Sequence, residues 1–398
     1  MSIRIKVFFA DDSSVVRRLL GDVLQADPRI DVVGMAKNGA EAIGEFARAK
    51  PDVVLLDVEM PVMDGVDAAG VIRSMDAQIP IIMFSSITTR GGEATLDALA
   101  NGANDYVTKP MGTGHVSEAI KHIQEILIPK IIDWGTRYQM ALENPTRSAV
   151  SKNTVASAGA KPGTAATARE LTPPAKTLGS TPPNSASNTT SNRTGSRRPP
   201  LIVAIGVSTG GPDALSDFVR MLPSNFSVPI VIAQHMPPVF TQLLANRLDQ
   251  ACNLDVKEAI DGHELTPGTI WIAPGGRHLA VARQGVTYRM SLNDGPAENS
   301  CRPSADVLFR SVAEAFGSNA LAIVMTGMGK DGLAGAKAIN AAGGNILAQD
   351  QVSSVVWGMP GAVANAGLAD QLLPPNELAE EVLRRTGASP LAPVEAGA

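Results

Sequence analysis

Between about Pro145 and Pro200 the chain turns to Ser, Thr, Ala, Pro, Asn and Gly, nearly loses its aliphatic and aromatic residues, and carries a single acid, Glu170. A stretch of that composition cannot bury enough apolar surface to offset the entropy of ordering itself, so it is expected to be a tether outside any core. It cuts 398 residues into two pieces, each long enough for its own hydrophobic core. The expected division is a first domain over 1–128, a connecting helix and long linker over 129–199, a second domain over 200–388, and a disordered tail over 389–398.

In the first piece apolar runs alternate with amphipathic stretches: IKVFFA, SVVRRLLGDVLQ, DVVGMA, GAEAIGEFARA, DVVLLDVE, then PIIMFSS, GGEATLDALANGA, DYVTKP and SEAIKHIQEILIPKII. Continuous Val, Leu and Ile runs mark strands buried on both faces of a parallel sheet, and the 3.6-residue periods mark the helices that cover it. Five βα units are expected. Beyond the tether, LIVAIGVS, VPIVIAQ, ALAIVMTG and GNILAQD predict a second parallel α/β layer. The segment TIWIAPGGRHLAVARQGVTYRMS alternates around Gly-Gly and Gln-Gly turns, which predicts an antiparallel ribbon at one edge.

In such sheets the ligand crevice lies at the carboxyl ends of the strands, so what each strand ends in is informative. In the first domain these ends carry Asp11 and Asp12, Asp57, Ser85 with Ser86, and Lys109. Three carboxylates gathered together repel unless a hard cation sits among them, and oxygen ligands suit Mg²⁺. With that charge neutralised, Asp57 can attack phosphorus and become an acyl phosphate, Lys109 can pair with it, and the Ser85 hydroxyl can bond the new oxygens. Taken singly, each acid also fits a solvated loop or a helix N-cap.

In the second domain the first strand opens into Gly206-Val207-Ser208-Thr209-Gly210-Gly211-Pro212. Gly-x-Ser-x-Gly after a strand has the form of a nucleophile elbow, and equally suits phosphate binding or a plain helix cap. Of the five histidines, only His235 directly follows a buried-strand run, and it is the candidate base. His263 and His278 lie in turn or ribbon contexts, while His115 and His122 are expected on the last helix of the first domain as surface or packing residues. The strand ALAIVMT ends in Gly327-Met328-Gly329-Lys330-Asp331-Gly332. Asp331 is placed to hold the His235 ring, or else to cap the helix that follows, and the Met328 amide is placed to bind an oxyanion.

Composition narrows the alternatives. A net charge of -5 gives no overall attraction to nucleic acid or anionic membrane. Cys252 and Cys301 are far apart and form neither a disulfide framework nor a zinc motif. No apolar stretch approaches the length of a bilayer span, so a cytoplasmic protein without membrane insertion is expected.

The stretches FFADDS, LLDVEMPVMDG and YVTKP resemble the flavodoxin-like (CheY-like) receiver domain of response regulators. That resemblance implies phosphorylation of Asp57 by a histidine kinase, Mg²⁺ on Asp11, Asp12 and Asp57, and a relay through Ser85, Tyr106 and Lys109. IGVSTGGPDAL, IAQHMPP, IAPGGRHL, RPSADVLFRS, MTGMGKDG and VVWGMPGAV together resemble the catalytic domain of the CheB chemotaxis protein-glutamate methylesterases. This second resemblance implies a serine hydrolase that needs no cofactor for hydrolysis. Its substrates would be glutamate methyl esters and certain glutamines on methyl-accepting chemotaxis receptors. Ser208, His235 and Asp331 would be the triad, with Thr209 and Met328 shaping the oxyanion and substrate site. The competing reading is a response regulator with a non-catalytic docking or DNA-binding output, against which stand the missing basic recognition helix and the intact Ser, His and Asp.

Overall fold

The computed structural model describes residues 4–109, 116–143 and 199–388. The linker over 144–198, the tail beyond 388 and His115 lie outside the described residues.

The first unit runs β1 (Ile5–Ala10), α1 (Ser14–Gln25), β2 (Ile30–Ala36), α2 (Gly39–Ala49), β3 (Val53–Asp57), α3 (Gly65–Met75), β4 (Ile81–Ser85), α4 (Thr89–Ala100), β5 (Asp105–Thr108) and α5 (Val116–His122). Its sheet is parallel in the order β2-β1-β3-β4-β5, the doubly wound order that opens a crevice between β1 and β3. β3 and β4 are buried at every position, as their unbroken apolar sequences require. Ser13, Asn38, Asp64 and Thr88 each cap a helix by accepting a hydrogen bond from a first-turn amide, contributing about 1 kcal/mol apiece.

A π-helical turn, Ile123–Leu127, carries α5 into the connecting helix α6 (Ile128–Glu143). α6 buries Ile131, Trp134 and Tyr138 against this unit. Its Lys130 Nζ lies 2.7 Å from Asp105 Oδ1, and Tyr138 donates to Asp76 at 2.6 Å. The helix thus belongs physically to the first unit, although it leads toward the linker.

The second unit places β6 (Ile202–Val207), α7 (Gly211–Arg220), β7 (Ile230–Gln234), α8 (Phe240–Ala251), β8 (Asp255–Glu258) and β9 (Thr269–Ile272) ahead of the ribbon strands β10 (His278–Gln284) and β11 (Thr287–Asn293). It continues through α9 (Ala305–Phe316), β12 (Ala320–Val324), α10 (Leu333–Ala341), β13 (Asn345–Gln349), α11 (Met359–Asn365), β14 (Gln371–Leu373) and α12 (Pro375–Thr386). The main sheet is parallel, ordered β14-β13-β12-β6-β7-β9-β8. The antiparallel pair is β10 with β11, closed by the Gln-Gly turn. One expectation is corrected: TIWI is not part of that ribbon but a strand of the main sheet, parallel to both β7 and β8. Its four residues are all buried, so no exposed face existed to alternate with. The short outer strands β8 and β14 were not anticipated.

Strand order switches at β6, with β7, β9 and β8 to one side and β12, β13 and β14 to the other. The loops leaving β6 and β12 therefore diverge and open a crevice at their carboxyl ends. Ser208 follows β6, His235 follows β7, and Asp331 lies seven positions past the end of β12 at Val324.

Candidate functional site

In the first unit one carboxylate oxygen from each of Asp11, Asp12 and Asp57 lies within 4.8 Å of the others. Lys109 Nζ stands 2.8 Å from Asp11 Oδ2 and 2.7 Å from Asp57 Oδ2. Burial and the neighbouring Asp11 charge push the Asp57 carboxyl up to about 6, against the pull of Lys109. Asp11 Oδ2, although ion-paired with Lys109, is buried without a directed hydrogen bond. A crowded acid cluster with one under-satisfied oxygen fits a hard divalent cation held by Asp11, Asp12 and Asp57. Gly65 is obligatory here, because a Cβ would fall 1.9 Å from the Asp57 carbonyl oxygen. Ser85 is buried and its hydroxyl donates to the carbonyls of Gly91 and Ser86, so it faces its own loop and not Asp57. His122 bonds the Thr108 carbonyl at 2.8 Å, a packing role.

In the second unit Ser208 leaves β6 on a turn whose Gly210 has φ +75°, a conformation that side chains other than glycine adopt with strain. Val355 is a second reason for glycine there, since a Cβ on Gly210 would lie 2.5 Å from it. Pro212 starts α7, where its missing N–H costs nothing. Beneath the turn Gln234 donates to the Ser208 carbonyl at 3.0 Å.

His235 Nε2 lies 2.7 Å from Asp331 Oδ2. Nδ1 is therefore the nitrogen left to exchange a proton with a substrate-side group. Burial disfavours the charged ring, yet the bond to Asp331 and the neighbouring Cys301 thiol outweigh it and lift the His235 pKa to about 9. For Asp331, burial alone would favour the neutral acid. The His235 bond and the surrounding donors reverse that and hold the carboxyl well below the usual range.

Those donors come from the start of α9: Ser304 Oγ at 2.8 Å, the Ala305 amide at 2.6 Å and the Asp306 amide at 3.2 Å. Asp331 thus meets the amino end of α9, not that of the helix following it, whose N-cap is Gly332 without a side-chain bond. Ser304 sat inside the RPSADVLF run, but a capping serine is common enough that nothing in sequence tied it to Asp331.

Among the described residues the Thr209 hydroxyl, buried beside Ser208, has no hydrogen-bond partner. Among the described residues the Met328 amide has no hydrogen-bond acceptor, and the Ser208 hydroxyl makes no hydrogen bond. These are groups available to an incoming carbonyl. His263 packs edge-on to Trp271, and His278 is buried and bonded to the Pro296 carbonyl; neither approaches the site chemically.

The first unit closes over this crevice. The gap is lined by Tyr106 and Lys130 on one side and by Ser208, Thr209, Asp213 and His235 on the other. The Tyr106 ring stacks on Phe240 with centroids 5.3 Å apart, a contact worth roughly 1 kcal/mol beyond its burial. A Cβ on Gly92 would lie 2.7 Å from Leu243, and Arg137 of α6 donates to the Val355 carbonyl. Tyr106, the expected relay residue, is therefore in direct contact with the second unit, which sequence reasoning did not foresee.

Comparison with known proteins follows the same division. Residues 203–382 match the family model "CheB methylesterase" and residues 7–121 match "Response regulator receiver domain". The chain is 45% identical over 384 residues to a protein-glutamate methylesterase/protein-glutamine glutaminase of Trichodesmium erythraeum, covering 96% of this chain and 99% of that one. A protein of the same name from a Nocardioides species is 46% identical over 395 residues, covering 99% of each chain. Among solved structures, the Thermotoga maritima CheB methylesterase catalytic domain is 43% identical, with a TM-score of 0.46 over 46% of this chain and 98% of that one. The response regulator domain of Thermotoga maritima CheB is 37% identical, with a TM-score of 0.30 over 33% of this chain and 97% of its own.

Proposed function

Because the chain belongs to the CheB methylesterase family and carries a response regulator receiver ahead of its methylesterase domain, we propose that it is a phosphorylation-controlled serine hydrolase acting on chemotaxis receptors. It hydrolyses glutamate methyl esters and deamidates glutamines. The observation that carries this reading is the convergence of Ser208, His235 and Asp331 at the ends of β6, β7 and β12, with His235 held on Asp331 at 2.7 Å.

Ser208 Oγ attacks the ester carbonyl carbon while the neutral form of His235, the minor form below its pKa of about 9, takes the hydroxyl proton on Nδ1, and Asp331 stays ionised to fix the ring and its charge. The tetrahedral oxyanion is received by the free Met328 amide, with the Thr209 hydroxyl adjoining. His235 returns its proton to the departing methoxide, methanol leaves, and water then splits the acyl-enzyme by the same proton route. With a glutamine side chain the leaving group is ammonia.

In the receiver, Asp57 accepts a phosphoryl group from a histidine kinase and Lys109 pairs with the product. Asp11, Asp12 and Asp57 would hold Mg²⁺, which when bound would neutralise charge for that transfer. Regulation works by cover: Tyr106 and Lys130 stand across the gap from Ser208 while Gly92 packs close to Leu243 of α8, so the unphosphorylated receiver excludes the receptor substrate from Ser208. The proposed domain borders are 1–128 and 200–388, with the connecting helix, packed on the first unit, and the linker between them. Among the described residues no helix is long and apolar enough to cross a membrane. A cytoplasmic location is proposed from the relatives' printed function and the kinase-fed receiver.

The test is methanol release from methylated receptor, with and without a small acyl-phosphate donor and Mg²⁺. Asp57→Asn is expected to abolish both acyl-phosphate formation and the stimulation while basal hydrolysis persists, because the amide keeps the shape and loses the nucleophilic charge. Stoichiometric phosphate incorporation into that variant would refute the assignment. A fragment beginning near Arg198 is expected to hydrolyse faster than the unphosphorylated full chain, since the cover is removed. Equal rates would mean that the receiver localises the enzyme without masking it.

A further inference from the structure

Asp331 has one more partner that its part in the triad does not require. The side-chain nitrogen of Asn299 lies 2.9 Å from Asp331 Oδ1 and 2.9 Å from Asp306 Oδ2. Asp306 is itself buried, and its other carboxylate oxygen accepts from the Gly335 amide at 2.6 Å. Two carboxylates thus share the space behind His235, and such a pair resists carrying two charges unless donors lie between them. Asn299 supplies both N–H groups of one amide nitrogen to that gap.

The local backbone explains how it gets there. Glu298 and Cys301 exchange both backbone hydrogen bonds, at 3.1 and 2.9 Å, closing a two-residue loop over Asn299 and Ser300. These two residues have φ of 52° and 63°, the left-handed pair that such a loop demands and that Asn tolerates better than most residues. The remaining charged or titratable neighbours are otherwise engaged. Glu298 pairs with Arg310, the Cys301 thiol lies beside the His235 ring and donates to the Asn299 carbonyl, Arg302 donates to the carbonyls of Asp294 and Gly295, and His235 occupies the far oxygen of Asp331.

We propose that Asn299 is a positioning residue for the hydrolysis, its amide bridging Asp331 and Asp306 so that Asp331 stays charged and oriented toward His235. The inference rests on the triad reading above. Turn chemistry alone would account for Asn at this position, so the decisive variant keeps the turn and removes the amide. Gly meets the same backbone demand at least as well.

The experiment uses the full chain, activated with an acyl-phosphate donor, and measures methanol release from methylated receptor between pH 5.5 and 9. Asn299→Gly is expected to fold with unchanged circular dichroism and to lose roughly tenfold to hundredfold in kcat, as for a buried bond to a charged group, with KM little changed. Its activity relative to the unmodified chain should fall toward acid, because the unbridged carboxylate pair takes up a proton and His235 loses its anion. Asn299→Asp should show the opposite slope. Protonated, its carboxyl still donates one bond; ionised, it repels two neighbours, so relative activity falls toward alkali. A Gly variant with unmodified kcat overturns the proposal, and so does a loss that runs parallel to the unmodified profile in both variants. If Ser208→Ala retains activity, the triad reading fails first; if only the Asn299 variants are silent, the triad stands and this inference alone falls.

Discussion

Replacing Ser208 by Ala is expected to lower methanol release by on the order of a millionfold while leaving the fold intact. The fold should survive because the hydroxyl makes no hydrogen bond among the described residues, and the left-handed position of the turn belongs to Gly210. The turn is held from its backbone, by Gln234 on the Ser208 carbonyl and by the Ser208 amide on the Thr326 carbonyl at 2.9 Å. What Ala removes is the attacking atom alone. His235→Ala added to it should cost almost nothing more, because a base has no task without its nucleophile. Two independent tenfold losses that multiply in the double variant would show that the residues do not act as a unit, and would end the serine mechanism even if esterase activity remained.

Asp331→Asn is expected to lower kcat by about ten-thousandfold, as for other triads in which the carboxylate fixes the ring tautomer. It should also lower the pKa of His235 from about 9, since its anionic partner is gone. The stability consequence has a definite sign. A histidine whose folded pKa lies above its unfolded value contributes stability that is full below about 6.5 and fades as pH rises through the folded value near 9. The variant should therefore lose most stability relative to the unmodified chain in mild acid, with the gap narrowing toward pH 9. A second loss, independent of pH, arises because Ser304 and the Asp306 amide donate to Oδ1 and the Ala305 amide to Oδ2, and whichever oxygen becomes nitrogen can no longer accept. Thermal melts across pH 5.5 to 9, with the imidazole titration followed by NMR, check both effects. A melt difference that grows toward alkali would contradict the ion-pair account.

Much of this architecture was legible in the strand ends. Continuous apolar runs fixed β1, β3, β4, β6, β7 and β12, and the residues that follow such runs in parallel sheets point into the crevice. The placement of Asp11, Asp57, Ser208 and His235 at strand ends was readable for that reason, and that of Asp331 from the Gly-rich turn after β12. TIWI misled because a four-residue buried strand carries no periodicity to separate it from its alternating neighbours. Asn299, Ser304 and Gln234 were invisible for a different cause. Each acts on a group distant in sequence, and each belongs to a residue type that caps and turns use everywhere. The contact of Tyr106 with Phe240 lay beyond reach as well, because the tether leaves the mutual placement of two separately folding units unspecified by local pattern.

The distribution of the chemistry along the chain has a consequence for biosynthesis. The receiver and its connecting helix are complete by Glu143, whereas the hydrolytic site needs strands β6, β7 and β12 and is unfinished until Asp331 has been made. Domains fold as units from the amino end during synthesis, at roughly 5 to 20 residues per second. The surface bearing Tyr106, Lys130 and Gly92 is therefore in place on the ribosome before Ser208 has its base. On the cover proposed above, the inhibiting surface of each new molecule is made before the site it covers, and no burst of unregulated demethylation is expected to accompany its production.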